Sequence, residues 1–325
     1  MTRRRHAQRG AALLVAMIVL TLVATLAAGM IWQQSRAIGV ESAERARAQA
    51  AWILSGGLNL GRVLLRVDAR TPGVDHKGEV WATPLQESPL SSMLAQDRDN
   101  NADAAPEAFL SGSIRDAQER YNLRNLVDAA TGKLVPAEVE ALARLCEAAA
   151  VPSPTAQMLA ESLQAAWRGE RSERSGEGSD SPAPAQGTVP LEPQTLDQLV
   201  WLGIDAQTLR RLQPYVDLLP VPTPLNINTA SPEVLAGVIA GLDVASAKRL
   251  ESRRPFRTVD QARQELPASL VLDAKRLSVG SSYFVISGSL RMDARVLEES
   301  MLVRRDGRQV VPLARWRQAA LPVAQ

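Results

Sequence analysis

From Ala11 to Ile31 the chain holds no charged residue and no proline. These 21 residues, at about 1.5 Å of helical rise each, reach roughly 31 Å, enough to cross a hydrocarbon core. The pattern stays helical beyond Trp32. "QQSRAIGVESAERARAQAAWIL" is alanine-rich, places Glu41 before Arg45 and Glu44 before Arg47 at neighbouring helical spacings, and meets no proline until Pro72. One helix from about residue 11 to about residue 67 is predicted, roughly 85 Å long, with Gly56-Gly57 as the place for a bend.

The periodicity after that helix changes several times. Val80–Ala82 reads as a short extended piece, and Phe109 to Ile114 alternates as a strand. "DAATGK" is a tight turn. Pro136 opens a helix with Val139, Leu142, Leu145 and Cys146 at helical spacing, and "TAQMLAESLQAAW" is a second helix. Residues 168–193, rich in Gly, Ser, Pro and charge, cannot bury enough apolar surface to fold alone and read as a flexible internal loop. Helices return in "TLDQLVWLGIDAQTLRRLQPYVDLL", "SPEVLAGVIAGL", "VASAKRLESRR" and "TVDQARQEL". Ser231 is the expected N-cap and Pro232 the first helical residue of the second of these. The tail reads as three strands, with Asp306-Gly307 as a hairpin turn. The order is α+β, with a helical domain inserted into it.

Composition narrows the chemistry. The 325 residues are 46% apolar, enough for one large core or two smaller ones. A single cysteine, Cys146, rules out an internal disulfide. The histidines, His6 and His76, are isolated, and no nucleophile motif, phosphate loop or metal-ligand cluster stands out, so an enzyme is not expected. The net charge is +2, and removing the four arginines of residues 1–10 would leave −2. The basic balance therefore belongs to the first ten residues and does not argue for nucleic acid.

Three readings of the apolar run compete: a signal peptide, a permanent anchor, or the anchor of a subunit that later leaves the membrane. The run is too long for an ordinary signal peptide. Arginines before it would hold the N-terminus in the cytoplasm. The short basic stretch ending in Gly10, followed at once by Ala11, resembles a type IV prepilin leader. That resemblance implies cleavage after Gly10 by a prepilin peptidase, methylation of Ala11 and retention of the apolar helix. Such proteins usually carry glutamate at the fifth mature position. Here Val15 stands there, which fits a subunit that has either lost assembly or sits at a fibre tip, where no neighbour needs neutralising.

"SIRDAQERYNLRNLVD" (113–128), "TPLNINTASPEVLAGV" (223–238) and the tail "SSYFVISGSLRMDARVLEESMLVRRDG" resemble the type II secretion minor pseudopilin K family. The resemblance covers nearly the whole chain except about 168–193. It implies a pseudopilin fold, a long N-terminal helix with an antiparallel sheet, carrying a large inserted all-α domain. The expected divisions are a leader at 1–10, a transmembrane and assembly helix at 11–67, pseudopilin parts at 68–135 and 276–325, and the insertion at 136–275. The implied role is capping the pseudopilus tip in support of protein export, with a single-pass inner-membrane anchor and a periplasmic C-terminal domain. The implied partners are minor pseudopilins of the I, J and H types, the major pseudopilin, the prepilin peptidase and the inner-membrane platform. Leu13, Leu14, Val15, Ile18, Leu22 and Leu26 are the expected apolar assembly contacts.

Two further features bear on ligands. Calcium is bound by some of the family, but the acid-rich segment that relatives carry is absent here. "DRDNNAD" (97–103) lacks the glycine and the bidentate glutamate of a calcium loop, with Ala102 and Ala108 in those places, and reads as a solvated loop; no cofactor is expected. "NINTASPEVLAGVIAGLDVASAKRLESRRPF" also resembles a helix-hairpin-helix module. Its hairpin reads Gly241-Leu242-Asp243, and a carboxylate there repels phosphate, so a packing unit is expected rather than DNA binding; Arg249, Arg253 and Arg254 read as a solvated face. A related type IV pilus minor pilin is the other alternative.

The leader reading predicts that mass spectrometry of the mature N-terminus finds methylated Ala11, and that Gly10→Val blocks cleavage. An intact leader in a peptidase-positive cell would count against it.

Overall fold

The computed structural model describes residues 5–70, 73–94, 108–175, 191–267, 270, 272–292 and 295–319. The chain divides into two compact units, residues 1–56 and 57–325. The candidate calcium loop at 97–103 lies outside the described residues, as do 176–190.

The first element, α1, runs Arg5–Asp68, and its helical assignment continues unbroken through Gly56 and Gly57. After it come a 3-10 turn at Val80–Ala82, β1 (Leu85–Pro89), the short α2 (Leu90–Leu94) and β2 (Ala108–Asp116). The extended piece expected at Val80–Ala82 is therefore a tight turn. It is wound because Trp81 must turn inward, where its indole Nε1 donates to Glu79 Oε2 at 2.9 Å and its ring meets Phe284 edge-on at 5.2 Å.

The helical region follows: β3 (Tyr121–Asn122), α3 (Pro136–Ala148), α4 (Pro154–Ser175), a 3-10 helix at Leu196–Leu202, α5 (Ala206–Leu212), β4 (Val216–Asp217), β5 (Leu225–Asn226), α6 (Pro232–Val238), α7 (Val244–Ser252), α8 (Val259–Gln264) and β6 (Leu277–Ser278). The chain then returns through β7 (Tyr283–Met292), β8 (Arg295–Asp306) and β9 (Gln309–Ala319). Two expectations need correction. Helix α4 extends to Ser175, so the stretch from 168 to 175 is helical and not loop. Part of the block expected to be helical around Val216 is instead a two-residue strand paired in parallel with β3. The turn signals hold: Asp128 Oδ1 accepts the N–H of Thr131 at 2.7 Å, and Gly307 takes φ 54° in the β8–β9 hairpin.

The main sheet has the order β1-β2-β7-β8-β9, antiparallel throughout. Strand β2 lies directly beside β7, with Asp116 opposite Phe284. The helical region thus leaves and re-enters the sheet at adjacent points. Its limits in the sheet are Asp116 and Tyr283, wider than the expected 136–275, because Tyr121, Leu123 and Leu126 pack in the helical core with Leu142, Leu159 and Leu235. Glu138, in the first turn of α3, is held by Arg276 from the other end of the insertion at 2.7 and 2.9 Å. Both edge strands of the sheet carry a proline, Pro89 in β1 and Pro312 in β9.

One sheet face is covered by the last turns of α1. Leu58 and Leu65 pack with Trp81, Phe284, Ile286, Met301 and Val303. The approach is close: a Cβ built on Gly61 would lie 2.6 Å from Ile286 Cγ2. A second close crossing joins α3 to α6, where a Cβ on Gly237 would lie 2.3 Å from Leu145 Cδ2. On the opposite sheet face, Ala117 and Leu219 of the insertion meet Tyr283, Val285 and Leu302.

Gly61→Ala and Gly237→Ala should each destabilise the soluble domain by about 1–3 kcal/mol through overpacking, whereas Gly56→Ala, with nothing within 4 Å of its Cβ position, should not. Denaturant unfolding of the three variants checks this.

Candidate functional site

The described part of the N-terminal unit is helical, and α1 from Ala11 onward is the one helix among the described residues long and apolar enough to span a bilayer. Its two hydroxyl side chains within Ala11–Ile31 are satisfied internally: Thr21 donates to the Ile18 carbonyl and Thr25 to the Leu22 carbonyl, both at 2.9 Å. No polar side chain in the span therefore needs water. Gly10 and Ala11 both lie inside α1.

The six expected assembly residues are all exposed on α1 but do not form one surface. Leu14, Ile18, Leu22 and Leu26 recur every fourth residue as a bulky ridge, with Leu13 beside it. Val15 belongs instead to a shallow trough of smaller side chains. One row is Ala11, Val15, Val19, Val23 and Ala27; the adjacent row is Ala12, Ala16, Leu20 and Ala24. Alanines at four-residue spacing are the residues that permit close helix approach in lipid.

Within the second unit, the end of α1 has two apolar sides. Leu58, Gly61 and Leu65 face the sheet and are buried. Leu60, Val63, Leu64 and Val67 sit at i, i+3, i+4 and i+7, yet remain 52%, 46%, 39% and 53% exposed. That spacing makes one continuous stripe. Exposed Arg66 and Arg70 border it.

A buried polar junction sits where the insertion meets the sheet. Asp116, the last residue of β2, is buried and accepts four hydrogen bonds. Its Oδ2 takes Thr229 Oγ1 at 2.6 Å, Ser281 Oγ at 2.6 Å and Asn226 Nδ2 at 3.0 Å; its Oδ1 takes the Gln118 N–H at 2.8 Å. Side-chain amides extend the seam. Gln118 donates to the Pro224 carbonyl, Asn122 to the Val221 carbonyl, and Asn125 both donates to and accepts from the backbone of Thr223. Residues 113–128 and 223–238, two stretches far apart in the chain, are thus joined side chain to backbone. Next to this seam Arg305 binds Asp68 and Asp75, and Asp75 accepts the Ser281 N–H. Burial pushes the Asp116 carboxyl up to about 6 despite its four donors. Burial, with Glu79 beside it, raises Asp68 to about 6 as well.

The hairpin between α6 and α7 is a packing unit. Leu235, Val238, Leu242, Ala247 and Leu250 all enter the helical core. Ser231 caps α6 through the Val234 N–H, as expected. Asp243 caps α7, accepting the Ser246 N–H at 2.7 Å. Its carboxylate occupies the helix N-terminus that a phosphate would otherwise use. Arg254 is not on a solvated face: it is largely buried and donates to the Ala230 carbonyl at 2.6 Å. The thiol of Cys146 is buried and burial pushes it up to about 11, away from nucleophilic use. Among the described residues no cluster of three or more His, Cys, Asp or Glu is placed to hold a metal.

Because Asp116 binds its proton more tightly when folded, its contribution to stability is full below about pH 4 and is lost as pH rises through about 6. The stability of the native domain relative to Asp116→Asn should therefore fall between pH 4 and pH 7, by up to about 3 kcal/mol. Urea unfolding of both proteins at the two pH values measures it; a pH-independent difference would contradict the assignment.

Comparison with known proteins agrees with this architecture. Two family models, both described as type II secretion system (T2SS) protein K, match residues 119–221 and 225–280. The type II secretion system protein K of Pseudomonas aeruginosa is 28% identical, with 98% of this chain and 96% of the relative covered. That of Pectobacterium carotovorum subsp. carotovorum is 26% identical over 94% and 95%. In the solved structures, the crystal structure of the GspK-GspI-GspJ complex from the enterotoxigenic Escherichia coli type 2 secretion system contains a chain that matches with a TM-score of 0.64 at 21% identity. The match covers 86% of this chain and 99% of that one. These matches, with the long apolar helix, the five-stranded antiparallel sheet and the helical region set into it, lead to one conclusion: the chain belongs to the type II secretion system protein K family.

Proposed function

We propose that this protein is a minor pseudopilin that sits at the tip of the pseudopilus and supports protein export across the outer membrane. It is made with a basic leader that is removed after Gly10, stays in the inner membrane through Ala11–Ile31, and exposes residues beyond the span to the periplasm. It then leaves the bilayer by packing α1 against the helices of other pseudopilins. The observation that carries this reading is the exposed stripe Leu60, Val63, Leu64 and Val67 on a helix whose other side is already buried. An apolar stripe at that spacing fits a second helix laid alongside it.

The similar chain of known structure is part of a complex with GspI and GspJ, so partners of the I and J types are the first to test. Within the membrane-level segment, the alanine and valine trough is the surface suited to close helix approach, because association in lipid rests on packing. Val15 offers no carboxylate to neutralise a neighbour's terminal amine, and the insertion between Asp116 and Tyr283 adds bulk beside the sheet. Both suit an end position more than a repeated one.

Two outcomes follow. Soluble domains lacking residues 1–32 should co-purify with I-type and J-type soluble domains, and Leu60→Asp with Val67→Asp should weaken that binding at least about tenfold without unfolding the domain, as loss of central apolar anchors does. Binding that survives the double substitution would remove the stripe from the interface. Labelling on sheared fibres should find the protein at one end; a shaft-wide distribution would refute the tip position.

A further inference from the structure

The anchor reading leaves open what sets the depth of α1 in the bilayer. Between Arg9 and Arg36 there is no charge, and Trp32 is the first residue after the apolar run. The guanidinium of Arg36 lies over the Trp32 ring, with its carbon 4.9 Å from the ring centroid. The other charges that follow on this stretch are matched: Arg45 pairs with Glu41 at 2.7 Å and Arg47 with Glu44 at 2.9 Å. Arg36 has no ion pair among the described residues. Ser35 donates to the Ile31 carbonyl at 2.9 Å and so makes no demand on solvent. The sequence of groups along the helix is therefore an apolar span, an exposed indole, and one unneutralised guanidinium stacked on it. A ring of that kind suits the boundary between acyl chains and headgroups, and the N–H edge of the guanidinium is left free for an oxyanion.

We propose that Trp32 and Arg36 form a headgroup clamp, in which Arg36 binds a phospholipid phosphate and thereby fixes where α1 leaves the membrane. The proposal rests on the anchor reading. Its consequence is specific, because Ala37, Ile38, Gly39 and Val40 carry no charge. Without the clamp the boundary can slide toward Glu41, a distance of about 7 Å along the helix.

The test uses the full chain in vesicles of phosphatidylethanolamine and phosphatidylglycerol, with Ala28→Cys or Ala37→Cys and a membrane-impermeant maleimide added on the side of the large domain. Buried Cys146 serves as the unreactive background. Ala37→Cys is expected to label and Ala28→Cys to be protected. Adding Arg36→Leu should slow labelling at position 37 about fivefold, the worth of one cation at the surface, and Arg36→Lys should retain most of it. Unchanged labelling in Arg36→Leu, or equal labelling at positions 28 and 37, overturns the clamp while leaving the anchor intact. Release of the chain by alkaline carbonate overturns the anchor reading itself, and the clamp with it.

Discussion

The buried carboxylate of Asp116 is the constraint on which the soluble domain turns. It ends β2, the last strand before the insertion, and it accepts bonds from Asn226 and Thr229 deep inside the insertion and from Ser281 at its exit. A buried carboxylate without these donors would cost several kcal/mol. The insertion cannot be displaced from the sheet without exposing that group. Because β2 and β7 are neighbours, one side chain fixes both the departure and the return of the chain. A large helical domain can then be added to a small sheet without disturbing its strand order.

Helix α1 solves a different problem. Its last turns bury Leu58 and Leu65, each worth about 1.5–3 kcal/mol, and Gly61 lets the backbone sit directly on Ile286. That anchorage leaves the opposite stripe free without loosening the helix. If the stripe is the proposed association surface, it is carried on an element already held rigid, which reduces the ordering cost of binding.

The sequence made the long periods readable. The 64-residue α1, the alternation of β2 and β7, and the capped helices α6 and α7 are local patterns, and each is found at its expected place within a few residues. What escaped was set by distance. Tyr121 and Leu123 look like part of the sheet region but pack with residues beyond position 141. The two-residue strands β3 and β4 exist because Tyr121 and Val216 meet, and two residues have no period. The seam around Asp116 was visible only as two polar stretches, 113–128 and 223–238, whose acids and amides had no stated purpose. In the fold those side chains bond across to one another's strands and loops.

The two prolines at the sheet edges bear on timing. A five-stranded sheet with free edges can recruit strands from any neighbour, and Pro89 and Pro312 each take a donor out of those edges. On the proposed reading, a subunit that joins others by a helix has to keep its sheet from joining them first. The prolines make premature strand exchange less favourable while leaving the helical stripe untouched, so the order of encounter is biased by chemistry at the edges rather than by affinity at the stripe.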